Sequence, residues 1–435
     1  MEIISQIFEN KSLRKKILYT LGILAIYRLL VAIPVPTVDI ATLMSQTLGD
    51  GSRELSSFLM LLGGSIERFS IVAVGLAPFI NASIIMQLLQ AVLPQLEELV
   101  EQGEQWQMKI QQYTRYITFP LAFLQSFWMV YFINYLFGGN VIDTANIGIV
   151  LLTTFCLSVG AMIILWLGDL ITEKGITNGV SVLIFASIVA GMSSQVYSSL
   201  AGASNAVGVF IFMMSFVLLL IVLSIFILKS IKEIPIIYSR QGKVQESSIL
   251  PIPMNPVGMI PIIFALAFAS FPYLLAQLIT KLGTQSNIIS TIAGRIEINF
   301  NIYSQQPGRW AMTIYFILIV VFTFFYAMIV FNPERMADNI QKRGWFIPGI
   351  RPWKETAKYI SKTLNHLCLW WGAWLWLLGI LNFIIVEVPF IQQLTFDLWS
   401  LPLVVTGSWV IIIVGVVQDL MGKIDTEILM AKYDH

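Results

Sequence analysis

Ten blocks of predominantly apolar residues follow one another along the chain, separated by shorter polar segments. Each block approaches the 20 or so residues that a helix needs to cross a bilayer. A chain in hydrocarbon must satisfy its backbone hydrogen bonds internally, which a helix does within one segment. The pattern therefore predicts an all-α membrane protein with ten transmembrane helices, at residues 17–36, 70–93, 115–137, 148–170, 179–199, 207–228, 257–279, 311–331, 364–387 and 402–420.

Two of these blocks are interrupted by residues that break helices. The second block carries Gly75 and Pro78. The opening of the seventh block holds five such residues: Pro251, Pro253, Pro256, Gly258 and Pro261. A packing kink would explain any single proline equally well. Because the breaks occupy the second helix of each half, residues 1–200 and 201–435, we favour two repeats that enclose a pore or binding cleft.

The positive charges are divided unevenly between alternate connecting segments. Of the 26 Lys and Arg residues, 20 lie on the side of the two termini, and Arg28 lies within the first span. The other side has only five, which are Arg53, Arg68, Lys281, Arg295 and Arg309. The positive-inside rule therefore places both termini in the cytoplasm, or in the stroma of an organelle.

The composition argues against a soluble protein and against an enzyme. Charged residues make up 12% of the chain, about half of what a soluble domain carries. The two cysteines, Cys156 and Cys368, have no metal-binding spacing, and Gly242-Lys243 is followed by valine and so does not complete a P-loop. Carboxylates are almost missing from the spans, whereas an ion-coupled transporter usually buries one. We expect a passive conduit without catalytic residues, metal or cofactor, and the net charge of +1 gives no field for nucleic acid.

A candidate docking site lies in the stretch FIPGIRPWKETAKYI, residues 346–360. Pro348 and Gly349 predict a turn, and Pro352 stiffens the chain after Arg351. A guanidinium on such a turn is suited to an acidic partner because it can bind a carboxylate through two hydrogen bonds. On charge alone, Arg351 could equally be a topology anchor.

Two pairs of apolar residues have the spacing of one helix face: Leu76 with Ile80, and Val180 with Ile184. From the residues alone, ordinary packing explains both pairs. The second block also contains two side-chain amides, Asn81 and Gln87. Because an unpaired amide in hydrocarbon costs a few kcal/mol, we expect both to face another helix or water.

Seven stretches resemble the SecY family of protein-translocation channels, and they follow one another in the family's order over nearly the whole chain. They are PFINASIIMQLL (78–89), QQYTRYIT (111–118), WLGDLITEKGITNGVSVLIFASIVAG (166–191), GMIPIIFA (258–265), FNPERMADNI (331–340), FIPGIRP (346–352) and VVQDLMGKIDTEILMAKY (416–433). The resemblance implies two inverted five-helix halves around a central hourglass pore.

In that family a ring of apolar side chains closes the pore, and the matching motifs carry this role onto Leu76, Ile80, Val180, Ile184, Ile263 and Ile412. Such a ring fits around any peptide, and a narrow apolar constriction disfavours water and ions. The segment 56–69 resembles the plug of the resting pore, with Gly63 and Gly64 as its hinge. The second and seventh spans would flank a lateral gate, whose polar residues would be Asn81 and Gln87.

The resemblance also implies partners. A SecA-type motor ATPase or the ribosome, or both, would dock on Arg240, Lys243, Arg351, Lys354 and Lys358. The other implied partners are SecE-like and SecG-like small subunits, preproteins and membrane lipid. The implied location is a bacterial plasma membrane, or a thylakoid or other organelle membrane of bacterial descent. Trp353-Lys354 stands where the family commonly has glycine and an acidic residue. The alternative from the residues alone is an inverted-repeat secondary transporter of a small solute.

Overall fold

The chain is described by a computed structural model, which covers residues 10–38, 69–93, 104–136, 141–201, 206–238, 246–255, 257–258, 261–265, 268–269, 272, 276, 287–300, 309–387 and 407–433. Within these residues the secondary structure is mainly helical. In chain order the elements are α1 (Lys11–Ala32), α2 (Ala77–Val92), α3 (Glu104–Leu136), α4 (Ile147–Lys174), α5 (Gly179–Ala201), α6 (Ala206–Leu228), β1 (Ile231–Tyr238), β2 (Glu246–Pro253), α7 (Asn287–Phe300), α8 (Arg309–Phe331), α9 (Pro333–Lys342), β3 (Trp345–Phe346), α10 (Lys354–Glu387) and α11 (Gly407–Tyr433).

Most of the predicted apolar blocks overlap helices, although residues 33–36 of the first block and 70–76 of the second are not helical. Nine blocks overlap one helix each, and the seventh is described in part, with helical residues at 261–265. By length and hydropathy, three helical stretches of the described residues could cross a membrane: Met108–Asn134, Ile147–Lys174 and Thr313–Lys342. The mainly helical prediction is confirmed, whereas ten spans in two inverted halves stay a prediction.

The chain divides into two compact units. The first comprises Met1–Ser194 and Val416–His435, and the second comprises Gln195–Gly415. The core of the first unit joins α3 and α4 to three irregular segments, at 33–38, 69–76 and 141–146. Its buried residues are Val35, Val38, Phe69, Ala73, Val74, Ala122, Met129, Val130, Ile133, Val141, Ile142, Val150, Leu157 and Ala161.

The second unit contains a three-stranded antiparallel sheet of order β2-β1-β3, which the all-α prediction missed. Strands β1 and β2 pair over eight residues, from Ile231 opposite Pro253 to Tyr238 opposite Glu246. The sheet packs on α9 and the start of α10. This sheet core is formed by Ile234, Ile236, Ile252, Ile340, Ile347, Ile360 and Leu364.

The sheet corrects one detail of the sequence prediction. Pro251 and Pro253 do not open the seventh span, because both lie in β2. The Met254 N–H donates to the Ser230 carbonyl at 2.8 Å. In an antiparallel ladder, hydrogen-bonded pairs alternate with pairs whose backbone groups face outward. Because Met254 belongs to a hydrogen-bonded pair, the even-numbered residues of β2 face β1, and the odd-numbered residues direct their backbone nitrogen away from β1. Proline has no N–H to donate, and both prolines therefore occupy positions where the ladder loses nothing.

The same alternation explains why β3 has only two residues. It pairs through Phe346 with Ile237 and through Trp345 with Tyr238. Continuing this register would place Pro348 opposite Pro235, at the next position where both residues should exchange hydrogen bonds. Neither proline has an N–H. The ladder therefore ends at Phe346, and the chain turns away from the sheet at the motif that carries Arg351.

Candidate functional site

The second apolar block is a broken helix, as predicted. Residues 69–76 form turns, and α2 begins only at Ala77, with Pro78 in its first turn. Gly75 has a φ of 62°, in the left-handed region that favours glycine. All eight residues of the segment except Ile71 are buried. Non-helical backbone at membrane depth is tolerated where protein covers it, which this arrangement provides.

The start of this segment is fastened to the end of α1. The Val35 N–H donates to the Phe69 carbonyl at 3.0 Å, and the Ile71 N–H donates to the Ile33 carbonyl at 3.1 Å. Pro34 and Ser70 form a β-bridge between these bonds. The two chain segments on either side of residues 39–68 are therefore held together.

Two of the predicted ring residues lie at the junction of the broken segment and α2. The Ile80 N–H donates to the Leu76 carbonyl at 3.0 Å, and both side chains are buried. On the same helix Asn81 and Gln87 are partly buried. The Gln87 Oε1 atom is buried and has no hydrogen-bond partner among the described residues. A buried amide oxygen of this kind is typical of a helix face that meets a further polar partner.

The second pair of predicted ring residues begins α5. The Gly179 N–H donates to the Thr172 hydroxyl at 2.8 Å, and the Asn178 Oδ1 atom accepts from the Val180 N–H at 3.0 Å. These bonds fix the tight turn between α4 and α5. Val180 is partly buried and Ile184 is buried.

The last two predicted ring residues belong to the second unit, and both are buried. Ile263 lies in the helical stretch 261–265, and Ile412 lies on α11. Phe264, which follows Ile263, makes edge-on ring contacts with Phe322 and Tyr326 of α8. These contacts fix the described part of the seventh block against α8.

The candidate docking motif forms the turn that the sequence predicted. The Ile350 N–H donates to the Ile347 carbonyl at 3.2 Å, and Gly349 has a φ of 79°. Ile347 is buried in the sheet core, whereas Arg351, Lys354 and Lys358 are exposed. Arg351 after the turn and Lys354 and Lys358 at the start of α10 thus present three exposed basic side chains next to an apolar base.

Trp353 adopts a conformation that the sequence did not predict. Its φ is 73°, and its carbonyl accepts from the Ala357 N–H in the first turn of α10. The side chain is 57% exposed, so packing does not explain the residue. A glycine would adopt this φ without a steric cost.

Among the described residues of the first unit, two ion pairs join different helices. Arg115 of α3 lies 3.0 Å from Asp169 of α4, and Lys16 of α1 lies 2.5 Å from Glu427 of α11. Near the second pair, Leu13 packs on Ile424 and Ile428 of α11. Sequence reasoning missed both pairs because no local spacing links their partners. Of the remaining predicted site residues, Gly63, Gly64, Arg240 and Lys243 lie outside the described residues.

Comparison with known proteins places this architecture in a family. The family model for SecY matches residues 70–421. The SecY protein translocase subunit of Staphylococcus aureus NCTC 8325 is 32% identical over 98% of this chain and 97% of its own length. That of Staphylococcus carnosus TM300 is 33% identical over the same shares.

Solved structures support the fold. A protein-conducting channel aligns with a TM-score of 0.63 and 17% identity, covering 95% of this chain and 92% of its own. Sec61 in a canine ribosome–channel complex aligns with a TM-score of 0.59 and 15% identity over the same shares. The match to the family model and to full-length bacterial relatives shows that this chain belongs to the SecY family.

Proposed function

We propose that the chain is the channel subunit of a protein translocase, which passes unfolded preproteins across a membrane and releases hydrophobic segments sideways into lipid. The observation that carries the proposal is the family match, which extends over nearly the whole chain. The buried, non-helical segment 69–76 supports it. A broken span of this kind is found where a membrane protein lines a cavity.

The proposed pore has ten spans in two inverted halves, residues 1–200 and 201–435, around an hourglass. Its ring consists of Leu76, Ile80, Val180, Ile184, Ile263 and Ile412. An apolar ring suits this function because it makes no sequence-specific hydrogen bonds with a passing chain. A narrow apolar ring also loses its water when empty, which holds back ions.

The resting state is completed by a plug and a lateral gate. The plug is residues 56–69, with Gly63 and Gly64 as its hinge. The hydrogen bond from the Val35 N–H to the Phe69 carbonyl supports this proposal, because it anchors the residue at the end of the plug segment. Asn81 and Gln87 are the polar residues of the gate, through which a hydrophobic segment enters lipid by its own transfer free energy.

Energy for transport comes from outside the chain. A SecA-type motor ATPase or the ribosome docks on Arg351, Lys354 and Lys358, together with Arg240 and Lys243. The exposure of the first three side chains supports this role, because Arg351 directly follows a fixed turn and Lys354 and Lys358 begin helix α10. SecE-like and SecG-like small membrane subunits complete the complex. The bacterial origin of the relatives supports the plasma membrane as the location. The uneven distribution of Lys and Arg supports both termini in the cytoplasm.

Reconstitution in proteoliposomes tests the function directly. The purified chain, with its small subunits and a motor ATPase, should make a signal-bearing preprotein resistant to added protease when ATP is present. Vesicles without the chain are the control. The comparisons give the small-solute transporter no support. Solute uptake driven by a gradient, without any protease-protected preprotein, would contradict the channel.

A further inference from the structure

Helix α4 touches the backbone of a neighbouring segment at Gly160. A Cβ atom on Gly160 would lie 1.8 Å from the carbonyl oxygen of Ile71 and 2.6 Å from its carbonyl carbon. These atoms are backbone and cannot rotate aside as a side chain can. An added methyl group would therefore force the two backbones apart by about 1 Å, since interiors have no space to absorb it.

The segment that Gly160 contacts leads directly to the first pair of ring residues. Ile71 is five residues before Leu76, and its own N–H is bonded to the Ile33 carbonyl at 3.1 Å. A shift of Ile71 relative to Ile33 would strain this bond. A displacement at Ile71 is therefore transmitted along the buried turns to Leu76 and to Ile80 in the first turn of α2.

A second contact of the same kind precedes the other ring pair. A Cβ atom on Gly179 would lie 1.9 Å from the Gly168 carbonyl oxygen of α4 and 2.7 Å from the Ile171 Cβ atom. Gly179 is adjacent to Val180 and five residues before Ile184. Its N–H bond to Thr172 fixes the approach at the same point.

We infer that Gly160 and Gly179 are positioning residues of the channel, because the contact of Gly160 with Ile71 and the contact of Gly179 with α4 set where four residues of the ring lie. The inference rests on the proposed function, since it takes Leu76, Ile80, Val180 and Ile184 as the ring. A change at either glycine moves apolar side chains without altering them. The closed pore should then leak although its ring has the same composition.

The test compares Gly160→Ala and Gly179→Ala with Gly22→Ala in proteoliposomes. Gly22 lies in α1, where an added Cβ atom meets nothing within 4 Å, so this variant reports the helix propensity of alanine alone. Resting ion conductance should rise several-fold in the first two variants and stay unchanged in the third. Export of preproteins with defective signal sequences should increase in parallel, which a merely destabilised channel would not show.

A further variant, Ile80→Gly, separates the inference from the proposed ring. It removes a ring side chain directly. If it raises conductance while folded Gly160→Ala and Gly179→Ala do not, the inference fails and the ring stands. If Ile80→Gly has no effect, the proposed ring itself fails.

Should both alanine variants fail to fold, Thr172→Val takes their place. It keeps the side-chain shape but removes the hydroxyl that holds Gly179. A smaller rise in conductance supports the inference, and unchanged conductance overturns it.

Discussion

Lys16 near the start of α1 and Glu427 near the end of α11 form an ion pair, although 411 positions separate them in the chain. Both side chains are about one-third exposed, at 32% and 34%. The pair lies beside the apolar contacts of Leu13 with Ile424 and Ile428. The ends of the first and last helices are thereby joined within the first unit.

Reversing this ion pair should destabilise the protein only slightly. Because the charges are partly solvated, the coupling between Lys16→Glu and Glu427→Lys should be about 0.5 kcal/mol. A double-mutant cycle on unfolding in detergent micelles measures it, and the charge-swapped double variant should recover most of the loss. Losses that simply add would show that the pair contributes nothing.

Asn134 should matter more to stability than its exposed counterpart Asn146. The Asn134 Oδ1 atom accepts from the N–H groups of Val141 and Ile142, at 3.1 and 3.0 Å, in a buried turn. Asn134→Ala leaves both donors unpaired and should cost about 1–3 kcal/mol. Asn146→Ala removes one exposed capping bond, to Gly148, and should cost less, about 1 kcal/mol. Equal losses in detergent unfolding would contradict the assignment.

Trp353→Gly should make the protein more stable than Trp353→Ala. Both changes remove the exposed indole, but only glycine adopts a φ of 73° without steric strain. The difference in the free energy of unfolding should be about 1 kcal/mol. Thermal unfolding of the two variants gives the sign. If alanine is as stable as glycine, the left-handed conformation at this position is wrong.

Shortening the ring side chains should open the resting pore. Ile80→Gly and Ile184→Gly should each raise resting conductance in planar bilayers, because each removes part of the apolar closure. Ile85→Gly is the matched control, since Ile85 lies on α2 but is exposed. A rise in the control equal to that of Ile80→Gly would indicate loss of helix stability rather than loss of a seal.

Charge reversal at Arg351 should impair motor-driven export without lowering the amount of folded protein. The Arg351→Glu variant replaces a guanidinium on an exposed turn with a carboxylate that repels an acidic partner. We expect protease-protected preprotein to fall at least tenfold, while thermal unfolding is unchanged. Lys232→Glu, at an exposed position of β1, is the control. Export at the normal rate in Arg351→Glu would remove this residue from the docking site.

Hydropathy was sufficient to predict the long apolar helices because a backbone in lipid must satisfy its own hydrogen bonds. It did not predict α7 and α9, which lie outside the apolar blocks. The break in α2 was also predictable, since Gly75 and Pro78 lie within an otherwise continuous block. The turn at Pro348 and Gly349 followed from their backbone preferences. Each of these features depends on residues that are close in the sequence.

What the sequence did not reveal depends on distant partners. Strands β1 and β2 contain three prolines, and the sequence analysis assigned two of them, Pro251 and Pro253, to the opening of the seventh span. The contact of Gly160 with Ile71 joins helix α4 to a segment about 90 positions earlier, and no local pattern announces it. The ring was assigned only by resemblance, because apolar residues with helical spacing are equally typical of ordinary packing.

The prolines of the hairpin have a further consequence for a protein whose cargo is an unfolded chain. Extended polypeptides join exposed sheet edges by forming new backbone hydrogen bonds. Four residues of β2 direct their nitrogen outward, and two of them, Pro251 and Pro253, have no hydrogen to donate. Pro235 faces the β3 side of β1, beyond the end of β3, and likewise has no hydrogen to donate. The edge of β2 therefore offers N–H donors at only two of its four outward positions, which disfavours the addition of an extended cargo chain as a further strand.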